Sequence, residues 1–271
     1  MQENRIDARL RRLRRSGEKG LITFITAGDP DLETTSRLVL AMEEAGADMV
    51  ELGVPFSDPL ADGPVIQRAS QRSLNGGTNL EGILMMVREL RRRTEIPLLL
   101  MTYYNPVLQY GLRRIAAEAG AAGVDGFIVP DLPLEESRPL LDELGRSGLH
   151  LVPLVAPTTT ERRLEEADRV AGGFIYCVSL TGVTGMREEI PPGIVQFIER
   201  VRRCCRLPLG IGFGVSGPRQ AALMARLADA VIVGSAIVRL VEEYATQPPL
   251  LLERVSGLVR ELKEAVRTCR G

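Results

Sequence analysis

Eight short apolar runs, each followed by a stretch of helical periodicity, constrain this chain more than any other feature. They fall at about 21–27, 49–52, 97–101, 126–129, 149–155, 174–179, 208–213 and 230–233. Most are continuous rather than alternating in polarity, the pattern of parallel strands covered on both faces. Amphipathic segments such as 31–45 and 134–146 lie between them. Eight βα units in 271 residues fit one closed barrel, for which about 250 residues is typical. The expected fold class is therefore α/β, a single (β/α)8 TIM barrel that occupies residues 1–271 as one domain.

Each end adds a helix to that frame. Residues 5–15 carry six arginines, yet Ile6, Leu10 and Leu13 fall on one helical stripe. The expectation is an extra N-terminal helix that plugs the barrel bottom and leaves its arginines in water. Residues 248–270 read as a C-terminal closing helix. A weak internal echo marks the turns from helix to strand: Ala45-Gly46-Ala47-Asp48, Ala122-Gly123-Val124-Asp125 and Leu227-Ala228-Asp229. Gly46 and Gly123 suit left-handed helix C-caps, and each Asp closes the turn into the next strand. These aspartates lie at strand starts, the stability face of a barrel, so no catalytic role is assigned to them.

Glu51 stands inside the otherwise apolar segment Met49-Val50-Glu51-Leu52. An unpaired buried carboxylate is costly, and chains tolerate one where the chemistry needs a shifted acid or base. Alternation puts Glu51 on the face of Met49, the last side chain of that face before Gly53, at the catalytic mouth of a barrel. Past the loop Val54-Pro55-Phe56-Ser57-Asp58-Pro59-Leu60-Ala61 comes Asp62. Taken alone, Asp62, like Asp58 in the same loop, reads first as a turn or helix-capping residue, because Asp62-Gly63-Pro64 also reads as a helix start. Asp29 and Asp131, in Asp-Pro and Asp-Leu-Pro turns, read as loop architecture. Phe24, Leu100, Tyr103, Phe127, Ile128 and Tyr176 fall in the upper half of the barrel, where Tyr103 and Tyr176 have hydroxyls to orient carboxylates; Phe127 and Ile128 read as core.

Two shortages narrow the chemistry. The single histidine, His150, opens a predicted strand and reads as structural. Only two lysines occur, Lys19 and Lys263, neither at a strand end. A Schiff-base lysine or a histidine-ligated metal is not expected to carry the reaction. The four cysteines, Cys177, Cys204, Cys205 and Cys269, form no C-x-x-C pair and are expected as reduced thiols. A net charge of −1 gives no electrostatic basis for nucleic acid or an anionic membrane. No apolar run is long enough to span a bilayer and no secretory leader opens the sequence, so the cytoplasm is the expected compartment.

Three glycine-bearing segments, 181–185, 212–217 and 234–236, follow the last three predicted strands. Loops at these places commonly hold a phosphate with backbone amides and a helix N-terminus. Gly212-x-Gly214-x-x-Gly217 also matches the dinucleotide fingerprint, but the following strand ends in Gly234-Ser235 where that motif needs an acid. The phosphate reading is preferred.

The segments Phe24-Ile25-Thr26-Ala27-Gly28-Asp29-Pro30, Glu51 through Pro64, Tyr104-Asn105-Pro106, Pro130-Asp131-Leu132-Pro133, Gly182-Val183-Thr184-Gly185, Gly212-Phe213-Gly214 and Gly234-Ser235-Ala236-Ile237-Val238 together resemble the tryptophan synthase α subunit family. The resemblance runs along nearly the whole chain. It implies a lyase of tryptophan biosynthesis that splits indole-3-glycerol phosphate into indole and glyceraldehyde 3-phosphate by a retro-aldol step. By position, Glu51 would be the catalytic acid–base and Asp62 would accept the indole N–H. Gly185, Gly214, Gly234 and Ser235 would hold the phosphate. Tyr176 would orient Glu51, Thr184 would steady Asp62, and Phe24 would contact the substrate.

The resemblance also implies no cofactor in this chain, with pyridoxal phosphate in a partner β subunit and an α2β2 tetramer. Loops 53–62 and 180–192 would move on closure, Gly182 and Gly185 acting as hinges in the second. Leu180 departs from those relatives that carry an arginine after the serine of the sixth strand. Two other readings stand beside this one. One is a free-standing lyase without a β partner, and the other is a catalytically silent regulator, against which the presence of both Glu51 and Asp62 argues.

Overall fold

The computed structural model describes residues 3–178, 190–212 and 214–267. Its strands are β1 Gly20–Thr26, β2 Met49–Gly53, β3 Leu98–Met101, β4 Gly126–Ile128, β5 His150–Leu151, β6 Leu154–Val155, β7 Ile175–Val178, β8 Leu209–Gly212 and β9 Ala230–Val233. All pair in parallel in the order β5-β4-β3-β2-β1-β9-β8-β7-β6. The two ends of that order, β5 and β6, are consecutive in the chain, so the sheet curls into a ring.

The fifth predicted strand, 149–155, is therefore two short segments rather than one. Pro153 has no N–H to give, so the ladder cannot run through it. Val152 N still donates to Phe127 O at 2.9 Å, and Tyr176 N donates to Pro153 O at 3.0 Å. The chain thus changes neighbour between β4 and β7 over these two residues. The other seven strands lie within one or two residues of their expected bounds.

Alternation divides the apolar side chains into two layers. Ile22, Met49, Leu99, Ile128, Phe174, Tyr176 and Ile232 fill the ring interior, joined from below by Ile6 and Leu10. These two belong to the helix Arg5–Ser16, whose Ile6, Leu10 and Leu13 are buried as expected. Asn4 caps that helix at Ile6 N and donates to Asp125 O and Gly148 O, fixing the plug to the barrel floor. Leu100 and Phe127 point the other way, into the layer between sheet and helices. That removes Leu100 from the expected upper pocket. The closing helix runs Pro248–Arg267. No helix among the described residues is long and apolar enough to cross a membrane.

The echoed aspartates hold strands in pairs. Asp48, at the start of β2, accepts from Leu21 N at 2.8 Å. Asp125, before β4, accepts from Leu98 N at 2.8 Å, and Asp229, before β9, accepts from Leu209 N at 2.9 Å. Each carboxylate thus satisfies the first free amide of the preceding strand pair member. Lys263 of the closing helix reaches Asp48 at 2.7 Å, and Arg91 reaches Asp125 at 2.7 Å. Cutting Asp125 to alanine strands the amide of Leu98 and the buried guanidinium of Arg91. Urea unfolding of Asp125→Ala is expected to show a loss of about 3–5 kcal/mol.

Candidate active site

β1 and β2 set the first part of the site through their register. Phe24 lies opposite Glu51, and Thr26 opposite Gly53. Phe24, Thr26 and Glu51 all face inward at the C-terminal ends of their strands, and Glu51 is 0 % exposed. Neither carboxylate oxygen of Glu51 has a hydrogen-bond partner among the described residues. Burial alone pushes its carboxyl up to about 8. At neutral pH Glu51 is therefore the protonated form, a buried acid with a proton to give.

Loop 53–62 carries Asp62 back over the ring. It is pinned at its middle by Ser70, whose hydroxyl accepts from Phe56 N at 2.9 Å, and at its end by Tyr103. The Tyr103 hydroxyl accepts from Ala61 N at 2.9 Å and donates to Asp62 Oδ2 at 3.1 Å. The helix Pro64–Asn75 begins at Gly63 with Pro64 in its first turn and no side-chain cap. Asp62 is thus turned toward Tyr103 rather than capping the helix. Burial raises its carboxyl to about 6, against the opposing pull of the Tyr103 hydrogen bond. Asp62 is ionised at neutral pH while Glu51 is not, the division of states an acid–base pair requires. Tyr103→Phe should release the end of this loop and lower kcat/KM about tenfold, measured in steady-state kinetics.

Tyr176 lies inside the ring on β7, packed 6.3 Å from Phe174 between ring centroids. Burial and then the charges of Glu51 and Asp62 drive its phenol upward. It makes no hydrogen bond to Glu51 among the described residues, so the expected orienting contact is not formed in this conformation. The ring needs space taken from β8. A Cβ at Gly212 would lie 2.7 Å from the Tyr176 hydroxyl, and one at Gly53 would lie 2.5 Å from Phe24 Cζ. Gly212 thus has an aromatic neighbour that leaves no room for a side chain.

A cleft of about 680 Å3 opens beside these groups, lined by Ala61, Met101, Pro130, Leu134, Pro153, Tyr176 and Val178 among others. Met101 was not singled out from sequence. Its inward position follows from the parity of β3, counted from Leu99, and that count was the available signal. On the opposite side, Gly234 precedes the helix Ser235–Tyr244, whose first-turn amides face the barrel mouth. Gly214 has a φ of +54°, which a glycine adopts without strain. Phe24 packs against Val238 of this helix and against Ala69 of Pro64–Asn75. Thr184 and Gly185, with Gly182 and Leu180, lie outside the described residues.

The remaining candidates fall where expected. Asp29 is held by Arg72 through two bonds of 2.9 and 2.7 Å, and Asp131 accepts from Tyr104 N at 2.8 Å. His150 starts β5 with Nε2 2.8 Å from Asp7, on the floor of the barrel. Cys177, Cys204 and Cys205 are free thiols; Cys269 lies outside the described residues.

Residues 10–267 match the family model described as tryptophan synthase alpha chain. The tryptophan synthase alpha chain of Geotalea uraniireducens is 48% identical over 268 residues, spanning 99% of this chain and 100% of that relative. The one from Citrifermentans bemidjiense is 49% identical over 263 residues, covering 97% and 98%. Among solved structures, tryptophan synthase subunit alpha of Legionella pneumophila superposes with a TM-score of 0.91 at 38% identity, covering 98% of this chain and 99% of that one. A chain of the Pyrococcus furiosus tryptophan synthase a2b2 complex superposes with a TM-score of 0.84 at 41% identity, covering 90% and 98%. With a family model matched over residues 10–267 and relatives matched along nearly its full length, the chain belongs to the tryptophan synthase alpha chain family.

Proposed function

We propose that the chain cleaves indole-3-glycerol phosphate to indole and glyceraldehyde 3-phosphate, with Glu51 moving protons and Asp62 holding the ring nitrogen. The observation that carries this reading is the fully buried Glu51 at the C-terminal end of β2, its carboxylate without a partner among the described residues, with Asp62 held by Tyr103 at the end of the loop that follows. Glu51 donates its proton to indole C3. The ring becomes a cation with its charge on nitrogen, and the Asp62 carboxylate accepts the N–H and stabilises that charge. The Glu51 carboxylate then takes the proton of the hydroxyl on the carbon attached to C3. The C–C bond breaks, the aldehyde forms, and the bonding pair returns to the ring as neutral indole. One proton leaves Glu51 and one returns, so the step is balanced.

Aldol cleavage needs an electron sink. An indole protonated at C3 is its own sink, which fits a chain whose two lysines lie away from the mouth. Gly214, Gly234 and Ser235 are assigned to the phosphate, with the helix Ser235–Tyr244 supplying its positive end. Gly185 and Thr184 are assigned to the phosphate and to Asp62 on the grounds of the family resemblance alone.

The chain is further assigned to an assembly with a β chain, in which pyridoxal phosphate belongs to the partner. Leu60, 95 % exposed on the loop that carries Asp62, is an apolar side chain on the face such a partner would cover. Release of indole from indole-3-glycerol phosphate by the purified chain, faster on mixing with a β chain, is the expected result. No indole release with or without the β chain overturns the reading.

A further inference from the structure

Four hydroxyl-bearing residues line a small cavity under Asp62: Thr26, Ser70, Thr102 and Tyr103. Three of the hydroxyls are engaged. Ser70 exchanges bonds with Phe56 N and O, Thr102 donates to Tyr103 O at 3.2 Å, and Tyr103 bridges Ala61 N and Asp62. The Thr26 hydroxyl is buried and has no partner among the described residues. Thr26 faces inward from the end of β1, on the same side as Phe24 and opposite Gly53. Leaving a buried hydroxyl unsatisfied costs about 1–3 kcal/mol, so a group with this placement calls for a partner.

The cavity leaves about 10 Å3 in which the centre of a water molecule can sit, roughly the least that one ordered water needs. Thr26 and Asp62, both in the lining, supply the two polar partners such a water requires.

We propose that Thr26 is a positioning residue for Asp62, its hydroxyl holding one water that donates in turn to the carboxylate. The proton order is fixed by the groups involved. Thr26 O–H donates to the water oxygen, and the water donates to Asp62. Tyr103 then steadies one side of the carboxylate and the Thr26 water another, and the acceptor is aimed before the substrate arrives. This rests on the reading of Asp62 as the acceptor of the ring N–H.

Thr26→Val keeps the shape and removes the hydroxyl, while Thr26→Ser keeps the hydroxyl. With indole-3-glycerol phosphate as substrate, Thr26→Val should lose about tenfold in kcat, the size of one hydrogen bond. Thr26→Ser should stay near wild type. Thr26→Val should also move the acid limb of the kcat/KM profile to higher pH, because the Asp62 carboxylate loses a donor, and a purely structural role would leave that limb in place. In an Asp62→Asn background the valine should add little, because the two residues act through one carboxylate. A high-resolution crystal structure should show the water in wild type and lose it in Thr26→Val.

A valine variant with wild-type kcat overturns the proposal. So does a serine variant as impaired as the valine, or a valine cost undiminished in the Asp62→Asn background. Full activity of Asp62→Asn alone is a different result, and overturns the reading of Asp62 itself. Should the valine variant not fold, Thr26→Ala enters the same comparisons.

Discussion

Replacing Glu51 with glutamine should lower the rate of indole release by about 10²–10⁴-fold, the range for loss of a positioned acid–base. The same change should make the protein more stable, by on the order of 1–3 kcal/mol at neutral pH and above. The sign follows from linkage. The folded carboxyl titrates near 8, above the 4.5 of an unperturbed glutamate, so the folded state binds more protons than the unfolded state between those values. Stability contributed at this site therefore falls as pH rises from about 4.5 and levels off above about 8. Glutamine cannot ionise, and the gap between variant and wild type should widen over the same interval. Urea titrations at pH 5 and pH 8 test the stability, and a stopped assay of indole tests the rate. A variant that keeps its rate overturns the assignment of Glu51, whatever its stability.

Asp62→Asn is expected to cost about 10²–10³-fold in kcat, comparable to removing one preorganised charge partner of a transition state. Its pH profile carries the finer test. Wild type needs Asp62 ionised and Glu51 protonated, so kcat/KM should fall below about 6 and again above about 8. Asparagine should flatten the lower limb and leave the upper one in place. A lower limb that survives intact assigns that titration to another group.

The barrel was legible because its signals are local and repeated. Continuous apolar runs recur along the whole chain, and the aspartates at three strand starts lie where a free strand amide needs an acceptor. Glu51 was equally plain, since a carboxylate in an apolar strand has few explanations. Pro153 was visible too, but the exchange of neighbours that it allows depends on β4 and β7, which are distant in sequence. Leu100 was misplaced and Met101 passed over because assigning inward and outward faces takes an exact strand phase, and one residue reverses it. Gly212 has a further reason to be glycine, the ring of Tyr176 on the adjacent strand, which no local pattern reveals. Thr26 gave no signal at all. A threonine at a strand end is ordinary, and only the absence of a partner for its hydroxyl sets it apart.

The break in the fifth strand position has a consequence for how this protein can change. Between Leu151 and Leu154 the wall of the ring is joined by few ladder bonds, and Leu151, Val152, Pro153 and Leu154 also line the 680 Å3 cleft. Leu151 and Val152 are core, but Pro153 and Leu154 are only half-buried and shape the cleft. Elsewhere around the ring a bulkier or smaller residue disturbs strand pairing and packing together. At Pro153 and Leu154 that coupling is looser, so the wall of the cleft can change there with Glu51 and Asp62 left where they are.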